Sequence, residues 1–165
     1  VKQGRAEHLP FSDVVFEFVN CAEVSEHVDN PEQMCREIYR ILKPGGKCYI
    51  SFHNRFGLYD YHYRLYFINW LPRTWAESIL KFLKKQKEDS PSIGRQKLIT
   101  MHYYTYSQIT KIFRKIGFDV FDVKDIRVEK VKEKYQLASP LLLILYFFIF
   151  RPFYFNTFHL LLERR

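Results

Sequence analysis

The chain has 165 residues, with 26 Lys and Arg against 18 Asp and Glu, giving a net charge of +8. That length suits one domain with its own core and is short for a complete nucleotide-binding enzyme. Three cysteines with no CxxC pair argue against a disulfide framework or a zinc knuckle, and basic residues without a nucleic-acid-binding motif argue against DNA or RNA as partners.

The opening Val-Lys-Gln-Gly falls where a strand and loop are already under way, so the sequence reads as the later part of a larger domain. After a turn at Ser12-Asp13, the run VVFEFV at 14–19 is rich in β-branched and aromatic residues and is expected to be a buried strand. A polar stretch follows, and Asn30-Pro31-Glu32-Gln33 then starts a helix. Asn30 can cap, Pro31 suits the first helical position, and Gln33 can reach back. Met34, Ile38, Ile41 and Leu42 give it one apolar face. Pro44 ends the helix, Gly45-Gly46 permit a tight reversal, and 47–52 reads as a second strand. Strand, helix and strand in about forty residues make a βαβ unit with parallel strands.

Residues 54–104 form an irregular, aromatic-rich cap, within which Pro72 is expected to open a helix carrying Trp75, Ile79, Phe82 and Leu83 before a polar loop over 84–97. Thr105-Tyr106-Ser107-Gln108 is a capping box, followed by an apolar face of Ile109, Ile112, Phe113 and Ile116 and a stop at Gly117. The run FDVFDV at 118–123 is a third strand. The apolar run LLLILYFFIF at 141–150 is too short to span a bilayer as a helix. It is either a helix covered by core or partner, or an interfacial one with peripheral membrane contact through 141–155, which its basic flanks favour. Residues 156–163 close the chain as a strand. The expected plan is thus a single partial domain: a βαβ core at 1–53, the cap at 54–104, a helix and strand at 105–135, and an apolar segment with its closing strand at 136–165.

These residues resemble a known family, the class I S-adenosylmethionine-dependent methyltransferases. The resemblance is carried by Ala6-Glu7-His8-Leu9-Pro10-Phe11, Phe16-Glu17-Phe18-Val19, Glu26-His27-Val28-Asp29 and Arg40-Ile41-Leu42-Lys43-Pro44-Gly45-Gly46, in the family's order and spacing. It implies an α/β fold: an incomplete Rossmann-like methyltransferase sheet, strands four to seven of seven, with the cap as an insertion. It implies S-adenosyl-L-methionine as methyl donor and a small-molecule acceptor, with the aromatic cap, the apolar run and the basic charge favouring a lipid or lipid-linked one, while the unpaired cysteine pattern fits a reducing cytoplasm. The family's glycine-rich cofactor loop and the acidic residue after its second strand have no counterpart in these 165 residues, so they are expected to bind cofactor poorly by themselves. The competing expectation is a non-enzymatic module that keeps the fold for protein or membrane contact.

By resemblance, Ala6 and Glu7 lie in the loop that touches the adenine, and Arg5 stands where many relatives carry Asp. Asn20, Cys21 and Ala22 follow the first strand at its carboxyl end, where open α/β sheets bind ligands, and are expected to line the cofactor and methyl-transfer site. Glu26 and His27 are the expected acid–base pair, a histidine there being naturally close to working pH; the alternative is a structural His27 packed on the helix. His53, Asn54 and Arg55 leave the second strand toward the same crevice, His53 as a catalytic candidate and Asn54, Arg55 and His62 as acceptor-binding ones, or as a polar network of the cap. Phe56, Tyr59, Tyr61, Tyr66, Phe67 and Trp70 either form an apolar acceptor pocket or pack the cap onto the sheet. No residue cluster calls for a metal.

Overall fold

The computed structural model of the chain describes residues 1–87, 96–135 and 140–165. Residues 88–95 of the expected polar loop and 136–139 of the last segment lie outside the described residues. A four-stranded sheet carries the fold, built from β1 (Phe16–Cys21), β2 (Leu42–His53), β5 (Phe118–Asp122) and β6 (Thr157–Arg164) in the order β1-β2-β6-β5. β1 and β2 run parallel on either side of α1 (Pro31–Ile41), as the βαβ reading requires, while β6 is inserted antiparallel to both β2 and β5. β1 extends two residues beyond the expected VVFEFV run, because its parallel ladder continues through Asn20↔Tyr49 and Cys21↔Ile50.

Alternation decides which side chains make the core. Cys48, Ile50 and Phe52 of β2 and Phe158, Leu160 and Leu162 of β6 point to one face and are fully or almost fully buried. Against them pack Met34, Cys35 and Ile38 of α1, and Ile109 and Phe113 of α3 (Tyr106–Ile116). The α1 start is as expected, with Asn30 Oδ1 accepting from the Gln33 amide at 3.0 Å. The complete capping box at Thr105 and Gln108 and the stop at Gly117, φ +120°, are likewise seen on α3.

The Lys43–Gly46 segment differs from expectation. It is a bulge inside β2, not a reversal before it: Phe16 pairs with Leu42, but Phe18 pairs with Lys47. Gly45 takes a left-handed φ of +73°, and a Cβ on Gly46 would sit 2.8 Å from the Lys43 carbonyl.

The cap holds a two-stranded ribbon, β3 (Tyr59–Asp60) with β4 (Leu65–Tyr66), a 3-10 turn (Ile68–Trp70) and α2 (Arg73–Phe82). It has its own small core of Tyr63, Ile68, Ala76, Leu80, Leu98, Met101 and Tyr103. Ala76 and Leu80 are the buried face of α2, so the expected face of Trp75, Ile79, Phe82 and Leu83 is instead exposed. Tyr61, Tyr66, Phe67 and Trp70 are exposed as well, so they neither pack the cap onto the sheet nor enclose a pocket.

Charged residues dominate α4 (Val123–Tyr135), which the sequence pattern did not reveal. The apolar run forms α5 (Pro140–Leu145) and passes into a π-helical segment (Tyr146–Tyr154) that continues through Pro152. Ile144, Phe147, Phe148 and Ile149 are exposed, so of the alternatives for this run the core is set aside for these side chains, and a covering partner or an interface is left. Among the described residues no helix is long and apolar enough to cross a membrane. All three cysteines are free and buried.

Candidate functional site

The carboxyl ends of β1 and β2 lie side by side, so the loop after β1 and the last residue of β2 meet in one place. His53, the final residue of β2, is buried there between two carboxylates: Nε2 lies 3.1 Å from Glu26 Oε1 and 3.3 Å from Glu23 Oε2. Ser51 fixes Glu23, accepting from its amide at 2.7 Å and donating to its Oε1 at 2.8 Å. Glu23 has a left-handed φ of +55°, a conformation that costs a non-glycine residue about 1 kcal/mol or more. Ser25, donating to the Ser51 carbonyl at 2.8 Å, ties the same loop to β2.

The cap closes over this group. The Tyr103 ring stacks on His53 at 5.1 Å, and its hydroxyl donates to Asp60 Oδ2 at 2.8 Å and lies 3.2 Å from His62 Nδ1. His62 sits 4.9 Å from the His53 ring and 5.6 Å from that of His27. His27 is 3.6 Å from Glu26 and holds Gln96 at 3.0 Å. Of the sequence-chosen residues, Glu26, His27, His53 and His62 therefore form one cluster, with Glu26 nearer to His53 than to His27.

Electrostatics divides the histidines. Burial alone would pull the His53 ring down, but hydrogen bonds to Glu23 and Glu26 outweigh it and hold its pKa up at about 9. The same bond takes Glu23 down to about 2. Burial raises the Glu26 carboxyl, yet the bond to His53 and its charge leave it below the usual value. His62 is pushed the other way, first by burial and then by the His53 charge, which favours its neutral form. The two neighbouring rings are thus driven toward opposite protonation states.

One donor atom from each of Glu26, His53 and His62 lies within 4.8 Å of the others, a spacing that a divalent cation could bridge. His53 Nε2 is already shared between Glu23 and Glu26, so a cation would have to displace that proton.

The remaining candidates are placed less uniformly. Asn20 and Ala22 are exposed at the β1 end, but Cys21 is buried with its Sγ 3.8 Å from Met34 Sδ. Strand alternation turns that thiol into the core, which corrects the reading of its side chain as a crevice lining. Glu7 accepts from the Asp29 and Asn30 amides at 2.8 and 3.2 Å, so its carboxylate organises the start of α1, and Ala6 packs on the main core. Arg40 fastens this N-terminal loop, donating to the Phe11 and Leu9 carbonyls at 2.8 and 3.1 Å.

Asn54 is buried and spent: its amide donates to the Pro152 and Phe155 carbonyls, each at 2.7 Å, and its Oδ1 accepts from the Phe56 amide. That corrects its expected role as an acceptor-binding side chain. Arg55 donates through one Nη to the Leu71 carbonyl at 2.8 Å, while its other Nη is buried without a hydrogen-bond partner. Arg73 lies over the Tyr103 ring at 4.7 Å. Sequence reasoning missed Glu23, Ser51, Asp60 as a partner of Tyr103, and Tyr103 itself. Only the E-x-x-E spacing of Glu23 and Glu26 hinted at the first, and nothing local marks a tyrosine fifty residues after His53.

An apolar cleft of about 320 Å³ opens between the start of α3 and the π-helical segment, with Phe56 of the cap at its edge, and is lined in part by Tyr106, Phe147 and Phe153.

Residues 1–50 match the family model described as a methyltransferase domain. A demethylmenaquinone methyltransferase of Lactococcus lactis is 29% identical over 123 residues, covering 70% of this chain and 44% of the relative. A ubiquinone biosynthesis O-methyltransferase of Pseudomonas putida is 29% identical over 137 residues, covering 83% of this chain and 50% of the relative. The chain thus spans about half the length of these curated relatives. Among solved structures, a SAM-dependent methyltransferase of Thermotoga maritima described as a possible histamine N-methyltransferase superposes with a TM-score of 0.51 at 17% identity, over 98% of this chain and 62% of that one. The YcgJ protein of Bacillus subtilis gives 0.51 at 16% identity, over 99% and 70%. The likeness to these solved structures establishes a Rossmann-like α/β fold.

Proposed function

We propose that this chain, with the sequence and fold of a class I methyltransferase domain, supplies the acceptor side of an S-adenosylmethionine-dependent methyl transfer to a small molecule of the quinone-precursor class. One observation carries the reading: the methyltransferase match ends at residue 50, and the strand it ends in delivers His53 into a cluster with Glu23, Glu26 and His62.

Methyl transfer from a sulfonium is an in-line displacement, so alignment and water exclusion do most of the work. A hydroxyl acceptor must also lose a proton. His62, whose neutral form is favoured, is the group suited to take it. Glu23 and Glu26 keep His53 charged, and Tyr103 orients His62. Arg55, with its spare buried donor, would hold an acidic substituent of the acceptor. The exposed end of β1 at Asn20 and Ala22 and the backbone at Ala6 and Glu7 are the places for the donor. The relatives named for ubiquinone and menaquinone biosynthesis support the choice of acceptor class.

The test is transfer of labelled methyl from S-adenosylmethionine to hydroxylated benzoate and naphthoquinol acceptors by the full-length protein. His62→Gln should lower kcat by roughly a hundredfold while leaving donor binding intact. Folded protein that methylates none of these acceptors, or a His62→Gln enzyme of normal kcat, would end the proposal.

A further inference from the structure

We infer that the exposed face of α2, together with the π-helical segment, is a docking surface for an anionic phospholipid bilayer. Trp75, Ile79 and Phe82 recur at i, i+4 and i+7 and so share one side of α2, about a third of a turn round the helix from the buried Ala76 and Leu80. Trp75 is 67% exposed and Phe82 85%, with Leu83 exposed just beyond. An apolar stripe of that kind, rich in Trp and Phe and beside the exposed Lys81 and Lys84, is the pattern of a helix lying in the plane of a membrane interface.

The second patch is continuous with the cap. Phe148, 71% exposed, Phe147 and Ile149 project from the π-helical segment. At its end the Phe153 ring lies 5.6 Å from Trp70, which is 5.6 Å from Phe67, itself 6.4 Å from Tyr66. Two segments far apart in sequence thus meet through an aromatic chain that includes Trp70, and α2 with its exposed Trp75 follows directly in sequence. The apolar cleft shares Phe153 with that aromatic chain.

Charge selects the occupant. Between residues 54 and 87 the acidic residues are Asp60 and Glu77 alone, against Arg55, Arg64, Arg73, Lys81, Lys84, Lys85 and Lys87, and 140–157 adds Arg151 and no acid. Asp60 is buried, accepting from Tyr103 and Asn69, and Glu77 is half-buried, accepting from the Ile99 amide and Gln86. Cations therefore outnumber acids on the outer surface of this part of the chain. A second copy docked face to face would set these cations against one another, whereas anionic headgroups complement them. Neither α2, about 15 Å long, nor the described apolar run can cross the roughly 30 Å bilayer core, so the contact is peripheral. This holds whether or not the crevice transfers a methyl group.

Flotation of the full-length protein with phosphatidylcholine vesicles, with and without phosphatidylglycerol, tests it. Wild type should float with the anionic vesicles and far less with the neutral ones. Phe148→Glu and Phe82→Glu should each weaken the partition by roughly tenfold, and Phe82→Leu should not. Brominated lipid should quench native tryptophan emission, and Trp75→Phe should remove part of the quenched signal, a readout that needs no charged variant. Absence of anionic-vesicle binding, equal binding by the Glu variants, or a wild-type dimer that those variants dissociate without vesicle binding would each overturn the inference.

Discussion

At the scale of single residues, His53 decides most of the chemistry in the crevice. Its pKa rises from 6.5 to about 9 on folding, and the side chain is only 7% exposed, so the ion pairs contribute at most about 3 kcal/mol. The sign follows from the folded state binding the proton more tightly. That stabilisation is complete below about pH 6.5 and is lost as pH rises through about 9. Glu23 behaves oppositely: its contribution is present above its ordinary 4.5 and is lost as pH falls toward about 2. Urea unfolding near pH 6 and near pH 10 should therefore show a fall of about 2–3 kcal/mol that His53→Gln abolishes. An identical alkaline limb in that variant would mean that some other group titrates. The histidine could be chosen from the sequence because a strand's last residue must point to the crevice. Its partner could not, since Glu23 reaches it only by adopting a left-handed φ in an otherwise unmarked loop.

Among the elements, the β1–α1–β2 unit was largely legible, and so was the capped α3, because their starts and stops are written in short-range chemistry: Asn30-Pro31, Thr105 with Gln108, and Gly117. The bulge in β2 was not, since glycines permit a reversal and a bulge equally; only pairing with Phe16 chooses between them. Nor was the orientation of α2, which carries two apolar stripes, Trp75-Ile79-Phe82 and Ala76-Leu80, where the smaller one faces the core. α4 escaped because its charges leave no single apolar stripe. The two bulge glycines make separable predictions. Gly45→Ala meets nothing within 4 Å and should cost only the roughly 1 kcal/mol of its positive φ. Gly46→Ala would press a Cβ to 2.8 Å from the Lys43 carbonyl and 3.2 Å from that of Phe16 and should cost about 1–3 kcal/mol. Thermal melts giving the larger loss to Gly45→Ala would show that conformation, not space, governs the bulge. Thr105→Ala, removing the cap of α3, should cost about 1 kcal/mol in the same assay.

For the whole molecule, the consequential feature is that the last residue of β2 and the residue that follows it serve different ends. His53 faces the crevice, and Asn54 grips the far segment of the chain through the Pro152 and Phe155 carbonyls, while Asn156 Oδ1 accepts from the Tyr59 amide and its carbonyl from the Asn54 amide. Arg151 completes the attachment, lying 3.6 Å over the Tyr106 ring and pairing with Asp125. The π-helical segment is therefore tied to the residue that directly follows the site-bearing strand. Asn54→Ala tests that coupling, because it deletes two donors and an acceptor from a residue only 1% exposed. Leaving the Pro152 and Phe155 carbonyls without these donors should cost about 2 kcal/mol locally. Hydrogen exchange of amides in 144–156 should then quicken by about thirtyfold while those of β1 and β2 hold their protection. If exchange quickens equally throughout the sheet, Asn54 supports the core as a whole; if nothing changes, Arg151 and Asn156 carry the attachment without it.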